Sequence, residues 1–143
     1  MNLVRSLFCV AVLVGGLAAC GDEAEPAAPA WEEPASYTYT LTSSEGERAL
    51  IGTFRITVRD GEVTKAVGLD DSARRVVRQQ PDEVPTLGAL LEELEQARGD
   101  GADTAEAQYA ADGHPTRIEI DWEKNAVDDE ARYDISDYAP AAG

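Results

Sequence analysis

An Asp-Gly pair between two alternating runs is the feature that most constrains the fold of this chain. The runs FRITVR and EVTKAV alternate apolar with polar side chains, and only Asp60-Gly61 separates them. A two-residue Asp-Gly connection between alternating segments is the strongest short-range signal for a β-hairpin. Such a turn sets Val58 opposite Val63 on the apolar face. We therefore predict an antiparallel hairpin at the centre of the first half of the chain.

Further segments repeat this two-residue rhythm, which is typical of strands with one buried face. The run YTYTL has high β-propensity, and Ile118, Ile120 and Trp122 share a face opposite charged side chains. The additional strands are predicted at 37–41, 105–109, 118–122 and around 133–135.

One helix is clearly indicated between these two groups of strands. Thr86 is a candidate N-cap, and Gly99 suits the C-terminal end. Four leucines between them recur at helical spacing and form one apolar stripe, namely Leu87, Leu90, Leu91 and Leu94. Residues 70–83 are ambiguous, because Asp70-Asp71-Ser72 also suits the start of a short helix.

These elements predict an α+β fold. The expected order is strand–strand–strand–helix–strand–strand–strand, with one main helix packed on an antiparallel sheet. Short turns between consecutive strands favour antiparallel pairing.

The amino-terminal residues predict where the protein resides. Residues 1–19 combine Arg5 with a short apolar core, as a signal peptide does. They end in Leu17-Ala18-Ala19-Cys20, which resembles the lipobox of bacterial lipoproteins. This resemblance implies cleavage before Cys20, lipidation of its thiol, and attachment to the extracytoplasmic face of the cell membrane.

The composition of the rest of the chain predicts a tether, one domain and a short tail. Residues 20–35, which follow the signal peptide, are rich in acids, proline and alanine, which predicts a solvated tether. We expect one α+β domain at 36–138 and a short tail at 139–143. Cleavage and lipidation would leave no free cysteine, which excludes thiol catalysis and disulfides. The formal charge of −16 argues against nucleic acid as a partner.

The basic residues are concentrated in one stretch of this acidic chain. Between residues 48 and 78 there are seven bases and four acids. Two interpretations remain open: the bases pair with acidic neighbours within the fold, or they form a surface for an anionic partner. The seven are Arg48, Arg55, Arg59, Lys65, Arg74, Arg75 and Arg78.

Acidic residues near the carboxyl end are the candidates for metal binding. Their spacing rejects the EF-hand, because Ala126 and Arg132 occupy the positions that need glycine and glutamate. A looser calcium site remains an alternative to a solvated acidic loop, with ligands from Asp121, Glu123, Asp128, Asp129 and Glu130. His114, the only histidine, lies in a predicted turn and is expected to be exposed.

Four segments together resemble one family of bacterial lipoproteins. They lie at 37–41, 54–61, 114–121 and 133–138, and they agree in order and spacing with the domain-of-unknown-function 6174 family. The resemblance implies an envelope location and supplies no activity, cofactor or catalytic residue.

The same resemblance identifies one pair of positions. Members of that family often carry cysteines where this chain has Glu45 and Arg132. If those cysteines form a bridge, this chain has opposite charges in its place, which implies a structural pair between the first and last strands.

The expected function is therefore that of a non-catalytic, membrane-anchored envelope lipoprotein. It would contact the membrane through lipid on Cys20 and bind an unidentified envelope protein or polymer. The alternatives are a calcium- or small-ligand-binding module and, less favoured, a hydrolase. We expect no cofactor.

Overall fold

A computed structural model describes residues 30–126 and 128–142 of this protein. Six strands and two α-helices follow one another in those residues. A short 3-10 helix, Pro81–Glu83, connects the two α-helices. The elements are β1 (Tyr37–Ser44), β2 (Gly52–Arg59), β3 (Glu62–Gly68), α1 (Asp71–Gln79), α2 (Leu87–Gly99), β4 (Thr104–Tyr109), β5 (Pro115–Asp121) and β6 (Glu130–Pro140).

All six strands form one antiparallel sheet in the order β3-β2-β1-β6-β5-β4. Each group of three consecutive strands is a meander with short turns, so these pairings are local. The exception is the central pairing of β1 with β6, where Ser44 lies opposite Arg132. The beginning and the end of the fold are therefore joined in the middle of the sheet.

The predicted β2–β3 hairpin is confirmed. Val58 lies opposite Val63, and the turn residues Asp60 and Gly61 have φ angles of 52° and 79°. Positive φ at both central residues is the geometry that an Asp-Gly turn favours. Beyond this turn the register shifts through a β-bulge, which interrupts the regular edge of β3.

The structure corrects the prediction of a single main helix. Mixed α and β structure is present, but α1 adds a second α-helix to the one that the leucine stripe predicts. Asp70 caps α1 by accepting a hydrogen bond from the N–H of Ala73, and its other carboxylate oxygen accepts one from the N–H of Thr53 on β2, both at 2.8 Å. Gly68 allows α1 to approach β3 closely, since a Cβ at Gly68 would lie 2.3 Å from the nitrogen of Arg74.

The leucine-rich helix α2 forms as its sequence predicts. Thr86 accepts a hydrogen bond from the N–H of Ala89 at 3.1 Å, and the helix ends at Gly99. Leu87, Leu90 and Leu94 are buried, so the stripe packs in the core rather than on a partner.

Both α-helices pack on the same side of the sheet. Buried residues alternate along β1, β2, β5 and β6 and meet the buried residues of the helices. The largest fully buried side chains in this core are Tyr37, Tyr39, Tyr133, Phe54, Leu41, Ile56, Leu87, Leu90, Leu94, Ile118 and Ile120.

The fold extends past both expected ends of the domain. Strand β6 continues to Pro140, and the N–H of Ala141 donates to the carbonyl of Ser36 at 2.9 Å. On the other side Trp31 packs against the core. Thus 30–35 lie on the fold, although the composition of 20–35 predicts a solvated tether. None of the helices in the described residues is long and apolar enough to cross a membrane.

Candidate functional site

The face of the sheet opposite the helices is a surface available to a partner. We call it the open face. Strand β1 places Thr38, Thr40 and Thr42 along its centre, because these residues alternate with the buried ones. Charged residues flank this row on both sides, namely Arg55, Arg59 and Lys65 on β2 and β3 and Arg117, Glu119, Arg132 and Asp134 on β5 and β6.

A network of ion pairs neutralises the β5–β6 side of the open face. The Nε of Arg117 lies 2.8 Å from Asp134, and the Nε of Arg132 lies 3.1 Å from the other oxygen of the same carboxylate. Arg132 also contacts Glu119 at 3.1 Å. Burial opposes ionisation of Asp134, but the two guanidinium groups hold its pKa below the ordinary value. This side is therefore largely self-satisfied.

The β2–β3 side of the open face is different. Arg55 donates to Thr40 at 3.1 Å and lies 3.8 Å from Asp137. Arg59 and Lys65 form no ion pair with any residue that the structure describes. Two cationic side chains therefore remain available to an acidic partner.

The seven bases of the 48–78 stretch do not form one surface. Three lie on the open face, three lie on α1, and Arg48 lies near α2. Pairing within the fold accounts for three of them, because the ion pairs Arg48–Glu93, Arg55–Asp137 and Arg74–Asp71 lie within the fold, and the surface for an anionic partner stays a prediction.

A small cavity of about 140 Å³ contains the most convergent polar cluster. Arg48 lies 3.0 Å from Glu93 and places its guanidinium 5.0 Å from the centre of the Tyr133 ring. The Tyr133 hydroxyl donates to Glu93 at 2.9 Å. Burial and the nearby Glu93 carboxylate raise the pKa of Tyr133, so its proton is held and the cluster joins α2 to β6 as a structural contact.

The five acidic candidates do not converge on a metal site. Asp121 ends β5 and lies opposite Glu130 on β6, but no three histidine, cysteine or acidic residues in the described part of the chain form a group suited to a metal ion. One oxygen each of Asp121 and Asp129 is buried without a hydrogen-bond partner there. Glu123 and Asp128 are exposed.

Glu45 and Arg132 are close but do not form the implied pair. Arg132 lies opposite Ser44, the residue before Glu45, and the Glu45 carboxylate is among the charges that raise the pKa of Arg132. Hydrogen bonding to Asp134 is the first cause of that raised pKa, and the ion pairs of Arg132 join Asp134 and Glu119. Glu119 lies opposite Arg132 in the β5–β6 register, and Asp134 is two residues further along β6.

The sequence reasoning missed a cluster where the chain enters the fold. Tyr138 stacks on His114 with ring centres 4.2 Å apart, and Trp31 meets Tyr138 edge-on. His114 is hydrogen-bonded to Asp112, and 15% of its side chain is exposed. The expectation of an exposed His114 is therefore wrong, because the β6 bulge around Asp137 brings Tyr138 onto the ring.

A second missed contact fixes the entry segment. The hydroxyl of Tyr37 donates to Glu33 and accepts a hydrogen bond from the N–H of Leu87 at 2.8 Å. Burial and the Glu33 carboxylate raise the pKa of Tyr37. The apolar alternation predicts that Tyr37 is buried, but contains no signal for its distant partners. Cys20 and residues 1–19 lie outside the described residues.

Comparisons with known proteins give a family without an activity. No curated protein matches this chain, and no solved structure matches it. A model of a family of unknown function matches residues 23–140, which include every strand and helix above. This chain belongs to that family, DUF6174.

Proposed function

We propose that this protein is a cell-envelope lipoprotein, anchored on the extracytoplasmic face of the membrane by lipid on Cys20, that binds a protein or polymer partner without catalysis. One observation carries the binding role: in the described residues the helices cover only one side of the six-stranded sheet. The other side is a broad polar surface.

The chemistry of the open face supports binding rather than catalysis. Arg59 and Lys65 add positive charge to this face, and its centre is polar, although Thr40 is buried and its hydroxyl already contacts Arg55 and Asp137. Catalytic sites instead collect titratable groups in a concave pocket. The polar cavity of about 140 Å³ described above is instead held by mutual contacts of Arg48, Glu93 and Tyr133.

The anchor proposal rests on Leu17-Ala18-Ala19-Cys20. It is tested by metabolic labelling with a fatty acid in cells that express the native chain or Cys20→Ala. Native chain alone should carry the label. Equal labelling of both proteins would remove the anchor from the proposal.

Photo-crosslinking in intact cells tests the binding role. A photoreactive residue at Ser136, exposed on the open face of β6, should capture discrete partners. The matched control is the same residue at Glu92, exposed on the helical side of the molecule. Equal capture at both positions, or none at Ser136, would contradict an open-face binding site.

The calcium alternative has less support. It depends on the two unpartnered oxygens of Asp121 and Asp129, whereas calcium prefers six to eight oxygen ligands. The open face therefore remains the better-supported site.

A further inference from the structure

A groove runs along the free edge of β3. Its volume is about 480 Å³, and it separates β3 from the connection between α1 and α2. Within the sheet, β3 pairs only with β2, so its other edge carries backbone N–H and C=O groups without a neighbouring strand. The residues that line the groove are Glu62, Val63, Thr64, Lys65, Ala66, Val77, Pro81, Asp82, Val84, Pro85, Thr86 and Ala89.

Apolar side chains form part of the groove and of its surroundings, although the lining also includes the charged residues Glu62, Lys65 and Asp82. Val63, Ala66 and Val77 are partly buried against the core and form the wall of the groove. The large hydrophobic side chains that are exposed in the described residues are Val67, at 41%, and Leu69, at 51%. Both belong to β3 or follow it directly. Apolar side chains collected at one place on a surface indicate an interaction site.

The backbone geometry specifies the kind of occupant. An extended peptide adds to an exposed sheet edge through main-chain hydrogen bonds, and its alternate side chains enter pockets on one face. Beside β3, one set of side chains would enter the apolar groove. The other set would lie on the open face next to Lys65, with Arg55 and Arg59 one strand further away on β2.

Charge and register decide between occupants. A second copy that paired β3 symmetrically about its middle residue would place Lys65 opposite Lys65, and the bulge near Thr64 interrupts a regular edge. An acidic peptide instead matches Lys65, which forms no ion pair in the described part of the chain, whereas Arg59 lies opposite Glu62.

We propose that the β3 edge binds an extended segment of a partner protein as a seventh strand. The segment alternates small apolar residues, which enter the groove, with acidic residues, which meet Lys65 on the open face. This inference rests on the proposed function and narrows its partner to an acidic peptide.

The test uses the full chain in detergent and a fluorescent seven-residue peptide that alternates glutamate and valine. Fluorescence anisotropy should show saturable binding. A peptide of the same composition with its valines clustered should bind at least about tenfold more weakly. Two further peptides carry methyl groups on alternate backbone nitrogens, one peptide for each alternate set. Only one of the two should bind about tenfold more weakly, because a strand uses one edge for pairing.

Two variants locate the peptide. Ala89→Trp fills the groove from an exposed helical position and should weaken binding about tenfold. Gln96→Trp is the matched control, two turns along the exposed side of α2, and should bind as the native chain does. Lys65→Glu should weaken the glutamate–valine peptide and improve binding of a lysine–valine peptide, whereas Lys124→Glu should change neither.

Each result has a defined consequence. Equal binding of the alternating and clustered peptides, or equal effects of Ala89→Trp and Gln96→Trp, would overturn the strand-addition site. If peptides do not bind but Ser136 captures a partner in cells, the proposed function holds and this inference fails. Peptide binding without partner capture at Ser136 would keep the β3 edge and contradict the open-face site.

Discussion

The two halves of this molecule share an architecture but differ sharply in charge. Each half contributes three antiparallel strands to the sheet and one α-helix that packs on it. The helix follows the strands in the first half and precedes them in the second. Residues 37–79 contain seven bases and six acids, whereas 80–140 contain four bases and seventeen acids. The two halves therefore present very different surfaces on one continuous sheet.

This difference determines where a partner can bind. In the second half, Arg117 and Arg132 already contact Asp134, so little positive charge remains for a partner. In the first half, Arg59 and Lys65 lie beside the free edge of β3, where apolar side chains are also exposed. Near-neutral charge and incomplete burial occur together there, and both favour association.

The junction between the halves gives the largest expected effect. Glu45→Cys combined with Arg132→Cys should form a disulfide, since Arg132 lies opposite the residue before Glu45. The bridge would close a loop of nearly 90 residues and contribute roughly 4 kcal/mol to the free energy of unfolding in the chain-entropy model. Denaturant unfolding with and without reductant measures this contribution.

The control is Glu45→Ser combined with Arg132→Ser, which loses the same ion pairs and forms no bridge. If the double-cysteine chain stays reduced under oxidising conditions, the Cα atoms lie more than about 7 Å apart. The family-based alignment of these two positions would then be wrong.

The elements that the sequence predicts correctly are those with local signals. The Asp60-Gly61 turn and the Thr86 cap depend on residues a few positions apart, and both are confirmed. Helix α1 is harder to predict, because Arg74, Arg75 and Arg78 dominate a nine-residue segment with few apolar positions. Its formation depends on burial of Ala73 and Val76 against the sheet.

Long-range contacts explain what the sequence does not predict. The pairing of β1 with β6 joins positions far apart in the chain and places Ser44, not Glu45, opposite Arg132, whose ion-pair partners Glu119 and Asp134 lie on β5 and on β6 itself. The β3 groove likewise arises where α1 and α2 meet an edge strand. A single sequence indicates which residues are apolar but not which strand lies at the edge.

Acid unfolding compares one carboxylate from each half. Hydrogen bonds from Ala73 and Thr53 outweigh burial and lower the pKa of Asp70, as two arginines do for Asp134. A carboxylate with a lowered pKa in the folded state stabilises the fold above its unfolded pKa of about 3.9. That stabilisation is lost as pH falls through the folded pKa.

Asp70→Ala should therefore cost about 1 kcal/mol at neutral pH, because it removes a helix cap. Asp134→Ala should cost about 0.5 kcal/mol, since its side chain is 37% exposed and solvent screens the network. Denaturant unfolding near neutral pH and in acid measures both costs, which should fall as pH falls through the lowered pKa values. A larger cost for Asp134→Ala, or costs that do not fall in acid, would contradict this order.

Calcium gives the smallest expected effect and tests whether the acidic half is a binding site at all. Millimolar calcium should raise the melting temperature no more than magnesium does, because the acidic candidates do not converge in the described part of the chain. A cation that bound the folded state would stabilise it by mass action. Thermal unfolding in each cation measures the difference. Asp129→Asn is the matched variant, because one oxygen of Asp129 is buried without a partner among residues 30–126 and 128–142. A calcium-specific increase that Asp129→Asn abolishes would give the second half a binding role of its own. It would also remove the contrast between an interacting first half and a solvated second half.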